Sequence, residues 1–161
     1  MSETPPQPNP PEGVPAMRLL AQYLKDLSFE SPAAPQALAS NLPAPQMEVS
    51  VDVNARALGQ DRYEVELSCS ATAKRDGEVA YICEANYAGL FQIENVPQER
   101  LELALLVEGP HLLFPFIRQV IAQSTRDGGF QPLMLEPLDF VRMYQQQRAQ
   151  SVPSAVPEGL A

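Results

Sequence analysis

Strict two-residue alternation over positions 46–91 constrains this chain more than any other feature. Met47, Val49, Val51, Val53, Ala55 and Ala57 are separated by Glu48, Ser50, Asp52, Asn54 and Arg56. Tyr63, Val65, Leu67, Cys69, Ala71 and Ala73 repeat the pattern in the same odd-numbered phase, and so do Val79, Tyr81, Cys83, Ala85 and Tyr87. A period of two places successive side chains on opposite faces of a strand. Three strands in one phase therefore make a sheet with an apolar face of odd residues and a polar face of even ones.

The turns between the runs are Gly59-Gln60-Asp61 and Arg75-Asp76-Gly77. Glycine with acidic or amide neighbours marks hairpin turns. Apolar positions of paired strands must share a face, so the index sum of opposed residues must be even. Three-residue loops satisfy this, pairing Leu58 with Arg62 and Lys74 with Glu78. The second pairing places Cys69 opposite Cys83. The even face carries Glu48, Asp52, Arg56, Glu64, Glu66 and Glu84, and an antiparallel sheet can leave such a face in water. Ile82 breaks the pattern, an apolar side chain in an acidic field, which is the composition of an interface anchor.

At 161 residues the chain is the length of one domain, and its 45% hydrophobic content suffices for a core. The formal charge of −9 disfavours nucleic acid and favours a basic protein partner. No run of 18 apolar residues occurs, so no membrane span is expected. The N-terminus lacks a signal-peptide pattern, and a cytoplasmic protein is expected. Two cysteines in a reducing compartment read as buried thiols, and two cysteines with one histidine do not supply a usual zinc site.

Proline-rich residues 1–16 and the tail 151–161 read as disordered flanks of a domain at 17–150. Met17 can start a helix up to Tyr23, after which strand alternation sets in, with Leu27 and Phe29 inward and Asp26, Ser28 and Glu30 outward. Residues 31–45, with four prolines, are too long for a hairpin turn and must cross the sheet or its edge. A helix is predicted from Gln98 to Glu108, interrupted by Gly109-Pro110. A longer one follows from His111 or Leu112 to Arg126, with Pro115 in its first turn. A last amphipathic helix is predicted from Pro137 to Gln150. No phosphate loop, nucleophile elbow or triad is present, and the sequence holds no positive sign of an enzyme.

Four words of the chain resemble the SecB family of bacterial protein-export chaperones. They are YLKDLSFESPAAP at 23–35, LFPFIR at 113–118, GFQPLMLEPLDF at 129–140 and YQQQ at 144–147, in order and covering most of the chain. The resemblance implies an α+β fold, a four-stranded antiparallel sheet with two main helices on one face. It implies a homotetramer, a dimer of dimers, with no cofactor. It implies an ATP-independent holdase that keeps secretory precursors unfolded and delivers them to the SecA motor ATPase.

Carried over residue by residue, the SecA-binding surface falls on Asp26, Glu30, Ile82 and Glu84, all on the even face. The subunit-association strand falls on Cys83, Ala85 and Tyr87. The client groove would be walled by segment 31–45 and the last helix, lined by Phe29, Leu42, Phe114, Phe116, Phe130, Met134, Phe140 and Tyr144. The family often has Trp where this chain has Leu42. Two other classes fit the residues, a small-ligand carrier using the sheet–helix interface and an acidic adaptor for one folded partner.

Overall fold

A computed structural model describes residues 13–151. Expectations for positions 1–12 and 152–161 lie outside the described residues. Four antiparallel strands, β1 (Ala16–Glu30), β2 (Gln46–Gly59), β3 (Arg62–Arg75) and β4 (Glu78–Glu94), form one sheet in the order β1-β4-β3-β2. The strand expected only from Tyr23 thus begins at Ala16, and the stretch from Met17 to Tyr23 is strand rather than helix.

Both hairpins turn more tightly than expected. Gly59 pairs with Arg62 across Gln60-Asp61, and Arg75 pairs with Glu78 across Asp76-Gly77. Both loop residues have positive φ in each case, at 56° and 58°, then 51° and 81°, the mirror-image turn whose twist matches paired strands. Two-residue loops give an odd index sum, which would place apolar residues on the wrong face. One bulged residue in each hairpin, Leu58 and then Ala80, corrects it. Beyond the bulges Val53 opposes Leu67 and Leu67 opposes Tyr87. The parity argument holds, but Cys69 faces Ala85 and Cys83 faces Ala71, so the expected Cys69–Cys83 pairing is corrected. Both thiols are free and buried.

β1 carries two bulges of its own, between Leu19 and Ala21 and between Leu24 and Asp26. Each reverses the phase. Between them Gln22 and Leu24 share the side of Gly89 and Tyr87, and Tyr23 turns to the polar face.

The helices form one nearly continuous rod. α1 (Gln98–Leu103) passes through a π-helical turn at Ala104–Glu108 into α2 (Gly109–Asp127). The expected break at Gly109-Pro110 does not occur. A wider turn just before Pro110 accommodates the missing proline donor. Gly109 lies against the sheet, where a Cβ would come 3.3 Å from Val65. Pro115 is consequently inside the helix rather than in its first turn.

The segment Gln98–Asp127 spans 30 residues and reaches a mean hydropathy of 1.2, apolar enough by length and composition to cross a membrane. This differs from the expectation drawn from uninterrupted apolar runs. Leu113, Ile117 and Ile121 of this rod are fully buried with Val65, Leu67, Cys83, Ala85 and Phe91 of the odd face. Gly89 gives room for the rod. A Cβ there would lie 2.9 Å from Leu113.

α3 (Phe140–Ser151) starts three residues later than expected, because Asp139 caps it by accepting from the Arg142 amide at 3.0 Å. The connector 130–139 is tied back to α2. Thr125 Oγ1, fully buried, accepts from the Leu133 amide at 2.9 Å and donates to the Ile121 carbonyl at 2.9 Å.

Candidate functional site

The even face gathers three of the expected carboxylates around one apolar side chain. Glu30 of β1 pairs with Ile82, and Ser28 pairs with Glu84. Asp26 pairs with Asn86 one step further along β4. From the other side Thr72 opposes Ile82, and Ser70 opposes Glu84, donating to it at 3.4 Å. Asp26, Glu30 and Glu84 are exposed, and Ile82 is half-buried between its neighbours. Side chains opposed across neighbouring strands stand about 5 Å apart at Cβ. Residues distant in sequence thus form one compact patch, an apolar centre rimmed by negative charge.

Further along the same face sits a cluster that alternation alone missed. Glu64 of β3 is buried, only 6% exposed. It accepts from the Tyr23 hydroxyl at 2.5 Å, Lys25 Nζ at 3.1 Å and Arg56 Nε at 3.0 Å. Lys25 Nζ also donates to Glu66 at 2.9 Å. Hydrogen bonds, first from Tyr23 and then from the two cations, hold the Glu64 carboxyl at a pKa of about 2, against the opposing effect of burial. Burial and the Glu64 contact push the Tyr23 phenol up, and bonds to Glu66 and Glu64 push Lys25 up. The cluster bridges strands that do not pair. Tyr23 opposes Ala88 of β4, and Ala88 opposes Glu66 of β3. Ala88, the residue between them, is fully buried and carries only a methyl group.

On the odd face, segment 31–45 and the connector meet over an aromatic floor. The rings of Phe29 and Tyr81 stack at 5.6 Å, and Phe130 lies 4.7 Å from Tyr81 and 6.3 Å from Phe29. A cavity of about 340 Å³ opens above Tyr81 and Phe130, walled by Leu38, Leu42, Pro43 and Arg75. Arg75 spans the segment, donating from Nε to the Pro43 carbonyl at 2.7 Å and from Nη1 to the Ala37 carbonyl at 2.6 Å. A second apolar hollow, about 540 Å³, lies between edge strand β2 and the connector, lined by Val49, Val51, Leu133, Met134, Leu138 and Met143.

The eight expected groove residues divide accordingly. Phe29, Leu42 and Phe130 meet around the aromatic floor, and Met134 lines the β2 hollow at 55% exposure. Phe116 is exposed on the rod, stacked on Tyr87 at 5.9 Å. Phe114 and Phe140 are buried edge to face at 6.0 Å, and Tyr144 is buried beside Arg148. Phe114 and Phe140 are therefore core rather than groove, because the rod and α3 close on each other there. The expected association residues Cys83, Ala85 and Tyr87 are buried as well, at 8% exposure or less, under α2 of the same chain. Among the apolar side chains left uncovered are Leu19, Leu24 and Leu27 of β1 and Leu103, Leu112 and Phe116 of the rod. Tyr81 and Arg75 were missed as site residues. The first read as ordinary alternation and the second as part of a turn.

A sheet with a charged, apolar-centred outer face and grooved, aromatic-floored inner edges defines a protein-binding scaffold. The family model described as "Preprotein translocase subunit SecB" matches residues 11–151. A protein-export protein SecB of Maricaulis maris is 50% identical over 141 residues, covering 88% of this chain and 82% of that one. One of Nitrobacter hamburgensis is 50% identical over 139 residues, covering 85% and 87%. Among solved structures, a SecB-like chaperone of Mycobacterium tuberculosis, in complex with a ChAD peptide from an antitoxin, superposes with a TM-score of 0.64. It is 18% identical and covers 76% of this chain and 90% of that one, so the likeness is one of fold. The chain belongs to the SecB family of protein-export chaperones.

Proposed function

We propose that this chaperone holds unfolded precursors without ATP in the cytoplasm and hands them to the SecA motor through the even face of its sheet. The observation that carries the reading is Ile82 half-buried among exposed Asp26, Glu30 and Glu84. An apolar centre with a charged rim combines an anchor with steering of a basic partner. The opposite face supports client holding. It offers the aromatic-floored cavity and the β2 hollow, both with apolar side chains in their walls. Separating the two tasks onto two faces lets the motor dock while a client is still held.

The working form is a homotetramer. Its support is the uncovered apolar surface on β1 and the rod, where Leu19, Leu24, Leu27, Leu103, Leu112 and Phe116 are 37% to 49% exposed. Large apolar side chains left exposed in this number mark an interaction surface. Four copies also multiply the −9 charge facing a basic partner. Weak client sites on several subunits reinforce one another through effective concentration.

The test is the pair Asp26→Lys with Glu84→Lys. Association with SecA falls at least tenfold, and suppression of aggregation of an unfolded client is retained. Equal loss of both activities overturns the division of labour between the faces.

A further inference from the structure

Segment 31–45 is held to the sheet by side chains alone. Among the described residues its backbone-to-backbone hydrogen bonds all close within the segment, as in Ala37 to Ala33, Leu38 to Pro35 and Leu42 to Ala39. Its prolines remove further donors. The ties to the sheet run to one place, the bulged end of the β3–β4 hairpin. Ser31 Oγ donates to the carbonyl of the bulged residue Ala80 at 3.1 Å. Arg75, five residues earlier, supplies the other two ties, to Ala37 at 2.6 Å and Pro43 at 2.7 Å.

Ala37 is the middle residue of the short helical turn Gln36–Leu38, and Pro43 lies six residues further on, so the two carbonyls bracket the stretch between them. A single planar fork therefore pins both ends of the part of the segment that carries Leu38 and Leu42, each about two-fifths exposed. Arg75 also separates two hollows. The 340 Å³ cavity over Tyr81 and Phe130 lies on one side, and one of about 390 Å³, lined by Ala33, Gln36, Val79 and Ala80, lies on the other. Ala37, Leu42, Pro43 and Arg75 belong to the walls of both.

We infer that Arg75 is a latch on segment 31–45: its two hydrogen bonds hold the segment down between the two cavities, and their release joins them into one groove that admits an extended apolar stretch of an unfolded chain. Arg75 is a positioning residue, acting through the segment it holds. The inference rests on the holding function proposed above. Both bonds are from a charged donor to a neutral carbonyl, stronger than neutral ones yet partly exposed to water. That is a strength suited to a contact made and broken during function. A client chain brings its own carbonyls, so a released guanidinium finds acceptors on the client in place of Ala37 and Pro43.

The experiment compares the full-length wild-type chain with Arg75→Ala and Arg75→Lys. Three quantities are read: hydrogen exchange at the Ala39 and Leu42 amides, thermal midpoint, and stopped-flow association with reduced, carboxymethylated lactalbumin as a permanently unfolded probe. In Arg75→Ala, segment exchange accelerates about tenfold or more. Probe association accelerates several-fold, and the midpoint and the exchange of central β3 amides stay unchanged. Arg75→Lys, with one compact donor instead of a fork, recovers part of the difference.

Unchanged segment exchange overturns the latch, as does a Lys variant no better than Ala. Faster exchange with unaltered probe association overturns the gating role. A wild-type chain that does not bind the probe at all overturns the holding function, and with it the gating, while the exchange comparison still decides whether Arg75 restrains the segment.

Discussion

The hydroxyl of Tyr23 on edge strand β1 donates to the buried carboxylate of Glu64 on β3, 2.5 Å away across the intervening strand β4. Lys25 and Arg56 complete the ring of donors. The bond exists because a bulge on either side of the 21–24 stretch turns Tyr23 outward.

The ring makes stability depend on acid. The folded pKa of Glu64 is depressed from 4.5 to about 2, so its contribution is present above pH 4.5 and is lost as the pH falls toward 2. Glu64→Gln lowers unfolding free energy by roughly 2 kcal/mol at pH 7, the scale of hydrogen bonds to a charged group. Urea midpoints taken from pH 6 down to pH 2 converge with those of the wild type. Parallel curves would mean that the carboxylate charge plays no part.

Tyr23→Phe isolates the phenol. Removing the donor that contributes most to the depression moves the Glu64 carboxyl upward from about 2. Carboxyl-detected NMR titration of both proteins measures it. An unmoved titration would mean that the cations alone hold the charge.

Gly128→Ala acts at the aromatic floor. A Cβ at that position would lie 2.2 Å from Phe29 Cζ, and the Phe29 ring is already stacked on Tyr81. Overpacking of this kind costs about 1–3 kcal/mol. The expected outcome is a lower melting temperature with an altered near-ultraviolet circular dichroism signal from Tyr81.

Thr125→Val keeps the shape of a fully buried side chain but removes the acceptor of the Leu133 amide. An unsatisfied amide costs about 1–3 kcal/mol. Hydrogen exchange at Leu133 accelerates more than exchange in the middle of α2, because the connector and not the helix loses its anchor.

The thiols of Cys69 and Cys83 are pushed up to about 11 by burial, so almost none is thiolate at pH 8. A thiol reagent at that pH leaves the native protein unmodified and labels both cysteines in denaturant. Labelling of the native protein at the denatured rate would place a thiol at the surface.

The faces of the sheet were legible because burial enforces parity. Val65, Leu67 and Phe91 could not be moved outward without exposing a core, and the odd phase assigned to them stands. Turn length was not legible, because two-residue turns with a bulge and three-residue loops give the same parity. The difference surfaces only in the pairing of Cys69 with Ala85. The bulges of β1 were equally hidden. Leu20 and Lys25 carry no glycine or proline signal, and β1 is tied down by partners on β3 far away in sequence. Gly109-Pro110 misled because the pair usually ends a helix, whereas the π turn before it and the contact of Gly109 with Val65 keep the rod running. Of the site, the carboxylates around Ile82 followed from alternation and family likeness together. Arg75 did not, since nothing local distinguishes a turn arginine from one that spans a distant segment.

The paired bulges of β1 make that strand a reading frame. Deleting one residue between them would swing Asp26 and Glu30 to the side of the helices and bring Leu27 and Phe29 out among the carboxylates. Adding one would do the same. For this strand residue count is inherited information as much as residue identity. Drift in its length should therefore be far rarer among working relatives than drift in the segment that follows it.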